Sequence, residues 1–398
     1  MKLTLGVFFG GSSTEHEVSV ISAVQAMHAL NRDKYNVIPV YASKQGLFYT
    51  GDALLEVENY RNIPALLQRC TQIAVVRRTR DEVWLTRALP KKFGNNDIAK
   101  IDLAFPIVHG TNTEDGSLQG FFETLRLPYV GCDVGSSALG MDKMACKQVL
   151  AAAGLPVLPA VTLRHRDFLL DETAVLAKIE AKFSYPVIVK PVNLGSSVGI
   201  KVAGDRAALR EALDYAGTFA PILLVERAVT GLREINCAVL GDAEEARPSL
   251  CEEPITAGEI LSYADKYMSS GGGKGMSGAR RSLPAEISEE KTAEIRRLAV
   301  EAFRAVGCNG VVRIDFILDT DDGDKVYINE LNTIPGSLSF YLFAPDGLPY
   351  EQLLDRLVEL AFKRQREREM LTVSYETNIF DTKQTAGLKG IKGVKGIK

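Results

Sequence analysis

Residues 311–338 read V-V-R-I-D-F-I-L-D-T-D-D-G-D-K-V-Y-I-N-E-L-N-T-I-P-G-S-L, two apolar strand patterns joined by an acidic turn that contains glycine. Alternate side chains of a strand share a face, which aligns Arg313 with Asp315 and Glu330 with Asn332. With Asp321 to Asp324 as a four-residue hairpin loop, Asp315 faces Glu330 and Arg313 faces Asn332. Four polar groups then converge, and Ile317 and Ile328 are expected on their side as partial cover. Two carboxylates and an amide carbonyl are hard oxygen donors of the kind Mg²⁺ takes when it is shared with substrate phosphates. An arginine beside them suits an anion. The plainer alternative is a solvated sheet face with a surface ion pair, but unpaired carboxylates under apolar cover are costly.

The hairpin belongs to a chain of 398 residues, long enough for two to three domains. With 46% hydrophobic and 24% charged residues it has the composition of a globular protein, and a net charge of -3 gives no footprint for nucleic acid or an acidic membrane surface. The N-terminus reads as a strand ending in glycines, with no signal peptide, and no stretch approaches a membrane span. Six cysteines without C-x-x-C spacing read as reduced thiols of a cytoplasmic protein.

Strand 2–9, a glycine turn, a helix from about Glu15 to Leu30 and the strand N-V-I-P-V-Y make a β-α-β unit, which predicts an N-terminal parallel α/β domain. Leu103 to Val108 and Leu127 to Val130 look like later strands of its sheet. Beyond Ala138 the order helix, strand, helix, strand (P-V-I-V-K-P), glycine loop, strand (I-L-L-V-E-R) predicts a small α+β unit with helices on one face. The expected division is 1–131, 132–226, 227–372 and a basic tail 373–398, solvated or weakly bound to an anionic partner. Residues 254–284 are rich in Gly and Ser, as in functional lids or disordered loops.

The loop Asn193 to Gly199 follows a strand ending in Lys190 and Pro191. Its glycines let backbone N–H groups approach phosphate oxygens, and Ser196 and Ser197 add hydroxyls. No P-loop motif is present. Lys143, near a helix start, and Lys190 could converge on phosphates or sit singly in solvent. Glu226 and the backbone to Val229 suit an adenine edge at a domain seam, and Glu234 a ribose hydroxyl. Glu15, in the first helical turn, either complements the helix dipole or holds a substrate ammonium group, while Thr14 and Glu17 have capping-box spacing. His109, after a buried strand, is a candidate for substrate contact or a turn-stabilising side chain. His16, His28 and His165 have no constellation.

Taken together, G-G-x-S-x-E-x-E-V-S, H-G-x-x-x-E-D-G-x-L-Q-G, M-D-K-x-x-x-K, K-P-x-x-x-G-S-S-V-G, D-K-Y, R-I-D and N-E-x-N-T-x-P-G occur in the order seen in the D-alanine:D-alanine ligases of the ATP-grasp superfamily, and the chain resembles that family from Lys2 to about Leu371. The resemblance implies α/β and α+β domains in a three-domain ATP-grasp fold with ATP between the central and C-terminal sheets. It implies phosphorylation of one D-alanine carboxylate by ATP, attack by the amino group of a second and release of dipeptide, ADP and phosphate for peptidoglycan precursors. Glu15 would hold the first D-alanine's ammonium group with His109 nearby. Lys143, Lys190 and Ser197 would contact phosphates, Glu226, Arg227 and Val229 the adenine region, and Glu234 the ribose. Asp315, Glu330 and Asn332 would ligate two Mg²⁺ ions, with Mn²⁺ as a substitute. Arg313 and the Gly336 N–H would stabilise the oxyanion. Lys266 and Tyr267 would lie on the lid, with Tyr267 bonded to Ser196 and Glu15. The resemblance also allows a homodimer.

Two departures stand out. The family places a serine followed by leucine where this chain has Tyr341 and Leu342, and that serine helps bind the acceptor's carboxylate, so the acceptor is D-alanine or another small amine such as D-serine. The lid is long and glycine-rich, and its Arg280 and Arg281 either supply a substitute carboxylate contact or face solvent. A dinucleotide-binding oxidoreductase is the competing class, but the chain lacks the full G-x-G-x-x-G.

Overall fold

The computed structural model describes residues 2–195, 197–255 and 281–374. Met1–Phe362 form one compact unit, and Lys363–Lys398 a second that begins with the end of the helix Tyr350–Glu369. The compact unit holds three sheets.

The first contains β1 (Leu3–Gly10), β2 (Tyr35–Ala42), β3 (Phe48–Thr50), β4 (Thr71–Thr79), β5 (Glu82–Arg87), β6 (Asp97–Ile101) and β7 (Leu103–Val108), in the order β6-β5-β4-β3-β2-β1-β7. Parallel pairing joins β2, β1 and β7, the arrangement the β-α-β pattern predicts. The sheet continues from β2 as an antiparallel meander; the short links between β2 and β3 and between β4 and β5 can only reverse the chain, while a longer helical segment joins β3 to β4. Leu127–Val130 contributes one parallel bridge at Tyr129 and no strand; Pro128 has no N–H to give a ladder. The first helix runs His16–Ala29 with Glu15 at its N-cap and no capping side chain. The expected capping box is therefore absent, and Glu17 pairs with Lys44 at 2.7 Å.

The second sheet, β8 (Ala160–Arg164), β9 (Val187–Pro191), β10 (Lys201–Ala203) and β11 (Ile222–Arg227), is antiparallel in the order β10-β9-β11-β8. Val187, Val189, Leu223 and Val225 face helices that bury Phe168, Leu176, Ile179, Leu209 and Leu213, so helices cover one face. Strand alternation sends Ile188, Lys190 and Glu226 to the other.

The third sheet has the order β14-β13-β12-β15-β16, with β12 Leu232–Gly241, β13 Ala246–Pro254, β14 Arg281–Ser282, β15 Gly310–Asp319 and β16 Lys325–Asn332. The helix Glu289–Ala305, capped by Ser288 through the Lys291 N–H, buries Ile295, Leu298, Ala302 and Phe303 against Val239, Val312, Ile314 and Phe316.

The central hairpin has the expected pairs at its functional end, Arg313 opposite Asn332 and Asp315 opposite Glu330. Its turn differs. Asp319 pairs with Lys325, leaving a five-residue loop, Thr320 to Asp324, that winds as a 3₁₀ turn and ends on left-handed Gly323 and Asp324. The one-residue slip is absorbed by a β-bulge at Asn329, between the Asp315 and Phe316 rungs. The bulge also overturns the expected position of Ile328, which is fully buried in the core with Phe316 while Ile317 remains beside the polar cluster. In its place, consecutive Asn329 and Glu330 both reach the cleft.

All six cysteines are free thiols, five of them buried. Among the described residues no helix is long and apolar enough to cross a membrane.

Candidate active site

The polar face of the second sheet and the outer face of the third enclose one cleft. Its walls bring together Lys143, Lys190, Ser197, Glu226, Arg227, Val229, Glu234, Asp315 and Glu330, nine candidates drawn from separate parts of the sequence.

The charges there are arranged asymmetrically. Glu226, fully buried, lies between Lys147 at 2.6 Å and Lys190 at 2.8 Å. Burial alone would raise its pKa, but the two ammonium groups bring it below the ordinary carboxylate value. Burial lowers the Lys147 pKa; Glu226 opposes that and the neighbouring Lys190 adds to it. The pair thus favours the ionised acid more than the ionised Lys147, because one carboxylate serves two ammonium groups. The trio has a positive surplus, which suits an anionic ligand. Lys190 also donates to Asn329 Oδ1 at 3.2 Å, so the bulge residue helps aim it. Glu226 is therefore a clamp on two lysines, a contact that the adenine reading did not foresee. Arg227 pairs with Asp319 at 2.7 Å.

At the other end of the cleft Arg313 donates to Asp315 through both Nε (2.6 Å) and Nη2 (2.7 Å), and Asn332 Nδ2 donates to Asp315 Oδ2 at 3.0 Å. Burial opposes the Arg313 charge, yet the adjoining Asp315 raises its pKa further. Lys143 lies 3.1 Å from Glu330 and donates to the Leu194 carbonyl at 2.7 Å, which ties the glycine loop to the carboxylate pair. Among the described residues no three His, Cys, Asp or Glu side chains are grouped to hold a metal by themselves. Two facing carboxylates with an amide fit a divalent ion whose remaining ligands come from substrate phosphates. Both carboxylates reach the cleft and already carry protein cations, the charge complement such an ion would supply.

A second cluster adjoins the first. The Glu15 carboxylate lies so close to the glycine loop that a Cβ on Gly195 would stand 2.8 Å from Oε2, and one on Gly110 3.0 Å from it. A side chain at either position would push the Glu15 carboxylate from its place. His109 is buried, with Nε2 3.3 Å from Ser22 Oγ and a hydrogen bond to the Ile334 backbone. Burial pushes its pKa down to about 4, so it is neutral at pH 7. Ser22 Oγ also accepts the Ser337 N–H at 3.0 Å, which fixes the chain next to Gly336. Glu114 accepts the Gly110 and Ile334 N–H groups, both at 3.0 Å. Burial, reinforced by Glu15, pushes its pKa up to about 8.

Glu114 gives a test. Between about pH 4.5 and 8 the folded state keeps a proton that the unfolded chain releases, so this group makes stability fall as pH rises, by about 1.4 kcal/mol per unit. Glu114→Gln adds a constant cost, since its amide nitrogen cannot accept one of the two N–H groups, but does not titrate. Denaturant unfolding at pH 5 and pH 8 is expected to show the gap between variant and native protein moving in the variant's favour by a few kcal/mol; a constant gap would refute the shift.

Tyr341 is nearly buried beside Arg313 and its hydroxyl donates to Glu252 at 3.2 Å. Leu342 is completely buried in the core under the first sheet, so what it can offer a ligand is backbone. Arg281 does not face solvent: it pairs with Glu252 at 2.8 Å. Ser196, Lys266, Tyr267 and Arg280 lie outside the described residues. Sequence reading gave no role to Lys147, Glu114 or Asn329. All three sit inside quoted motifs, and a Lys four residues after Lys143 on a helix was a usable signal.

The family model described as D-ala D-ala ligase N-terminus matches residues 4–132, and that for the D-ala D-ala ligase C-terminus matches 149–359. The chain belongs to the D-alanine–D-alanine ligase family. Among its relatives in that family, the D-alanine–D-alanine ligase of Acetivibrio thermocellus is 39% identical over 371 residues, covering 91% of this chain and 96% of the relative. The D-alanine–D-alanine ligase A of Chromobacterium violaceum is 40% identical, covering 94% and 99%. Among solved structures, the D-alanine-D-alanine ligase from Coxiella burnetii superposes with a TM-score of 0.77 at 32% identity, covering 92% of this chain and 96% of that one. The VanG D-Ala:D-Ser ligase from Enterococcus faecalis gives 0.75 at 31%, covering 91% and 100%.

Proposed function

We propose that this ligase joins two molecules of D-alanine at the expense of ATP, through an acyl phosphate, to supply peptidoglycan precursors. The observation that carries the proposal is the convergence of nine separately predicted residues on one cleft whose lysines outnumber their buried carboxylate.

In this reading the 1–131 portion binds the donor amino acid, and 132–226 and 227–372 hold the nucleotide between them. Lys143 and Lys190 take phosphate oxygens, Ser196 and Ser197 the glycine-loop side of the same group, and Arg227, Val229 and Glu234 the nucleoside. Asp315, Glu330 and Asn332 would hold Mg²⁺, which when bound cancels repulsion between the donor carboxylate and the γ-phosphate. Glu15 holds the donor's ammonium group. Arg313, aimed by Asp315, and the Gly336 N–H, anchored through Ser337 and Ser22, face the oxyanion that forms when the acceptor attacks. Lys266 and Tyr267 close the site against water. A cytoplasmic location and a homodimer belong to the same reading.

A D-serine acceptor is the second reading, favoured by Tyr341 and by the likeness to a D-Ala:D-Ser ligase. ADP release with Mg-ATP across D-alanine, D-serine, D-lactate and L-alanine, with mass spectrometry of the products, separates the two. D-Ala-D-Ala as dominant product is expected; a mixed dipeptide selects the second reading, and no substrate-dependent ADP release from folded, ATP-binding protein rejects both.

A further inference from the structure

Strand register places Glu252, Asn236, Asp315 and Glu330 opposite one another on β13, β12, β15 and β16, a single polar row across the third sheet. Side chains at one register level share a face. The row starts at the carboxylate pair of the nucleotide cleft and ends, two strands beyond Asp315, at Glu252. At strand spacing that is about 10 Å, a span that a small amino acid reacting over Asp315 and Arg313 covers together with an arginine side chain reaching toward it from the far end.

Glu252 is 1% exposed. Its Oε1 accepts from Asn236 Nδ2 at 3.1 Å and from the Tyr341 hydroxyl at 3.2 Å, and its Oε2 accepts from Arg281 Nη1 at 2.8 Å. With three donors on it, the carboxylate is committed to structure. What it does is fix two other groups: the Arg281 guanidinium lies over the Tyr341 ring, 3.9 Å from its centroid. Arginine is thereby pinned by one edge and one face, on the same Glu252 and Tyr341 whose charges act on Arg313, and the fork of Arg313 is itself taken by Asp315. A pinned guanidinium recognises a carboxylate with little further ordering.

Resting on the ligase reading above, we infer that Arg281 receives the free carboxylate of the acceptor amino acid, with Glu252 and Tyr341 as its positioning residues. An acceptor whose amine attacks at Arg313 must bring its own carboxylate under cover along the row, where an unpaired anion is costly. Arg281 stands at that point, and the acceptor class it selects is a small α-amino acid with a free carboxylate.

The test is competition between D-alanine and D-alaninamide, which can accept but has no carboxylate to be phosphorylated. Wild type is expected to form D-Ala-D-Ala in large excess over its amide. Arg281→Met should cut that ratio about 30- to 100-fold while the KM for ATP holds, and Arg281→Lys should cut it less. Glu252→Gln should lower the ratio in the parent but not further in the Arg281→Met background. An unchanged ratio in Arg281→Met, or in Arg281→Lys if the former does not fold, overturns this inference alone. No dipeptide from the wild type overturns the ligase reading and this inference with it.

Discussion

Glu330→Gln is expected to lower kcat by about 10²- to 10³-fold, the scale of the several kcal/mol that a fixed divalent charge contributes at a phosphoryl oxygen. Glu330 faces Asp315 across β15 and β16, and the substitution leaves one carboxylate and two amide oxygens where the proposed site has two carboxylates and one amide. The fold should survive. Lys143, whose charge Glu330 supports, keeps the Leu194 carbonyl at 2.7 Å and gains the glutamine oxygen as a neutral acceptor. Steady-state ADP release against Mg²⁺ concentration, beside a thermal melt, checks both halves. Half-activity displaced to higher Mg²⁺ with the melt nearly unchanged is the expected result. Wild-type turnover at limiting Mg²⁺ would remove Glu330 from the metal site.

That cluster was legible because it depends on two local rules, strand alternation and the facing of residues across a hairpin. The Arg313–Asn332 and Asp315–Glu330 rungs follow from them even though the turn was misjudged. The bulge at Asn329 was not legible: it repairs a one-residue slip set by the winding of Thr320–Asp322, and nothing in the apolar pattern of β16 marks it. Its effect reaches the site, since it turns Ile328 into the core and gives Lys190 a partner in Asn329. Glu252 was invisible for another reason. It reads as one acid on an ordinary strand, and its meaning comes from the register of three neighbouring strands and from Tyr341, 89 residues away. The parallel heart of the first sheet was legible from the β-α-β pattern, whereas Leu127–Val130 looked like a strand because apolar content outweighed the missing donor of Pro128.

Glu226→Ala should destabilise the protein by about 3–5 kcal/mol, the cost of removing one partner from a buried ion pair. The site makes the upper end of that range reasonable, because Lys147 and Lys190 would both lose the carboxylate that lies 2.6 and 2.8 Å from them and would face each other as like charges. Lys190 would keep Asn329; Lys147 would bear most of the loss, its pKa being already lowered by burial. The pH dependence distinguishes this from a packing defect. In the wild type the lowered Glu226 pKa contributes stability above the ordinary carboxylate value that disappears as pH falls through the folded one. In the variant the acid is gone, and Lys147, whose folded pKa burial already lowers, binds fewer protons folded than unfolded. The stability of the variant should therefore rise with pH toward the ordinary lysine range. Adding Lys147→Met should recover part of the loss, since the second substitution replaces a stranded ammonium by an apolar side chain of similar length. Denaturant unfolding of the two single variants and the double variant at pH 7 and pH 9 measures each of these quantities. Strict additivity, together with a stability gap that does not narrow between the two pH values, would mean that Glu226 supports the cleft through packing alone and that the lysines hold their charge without it.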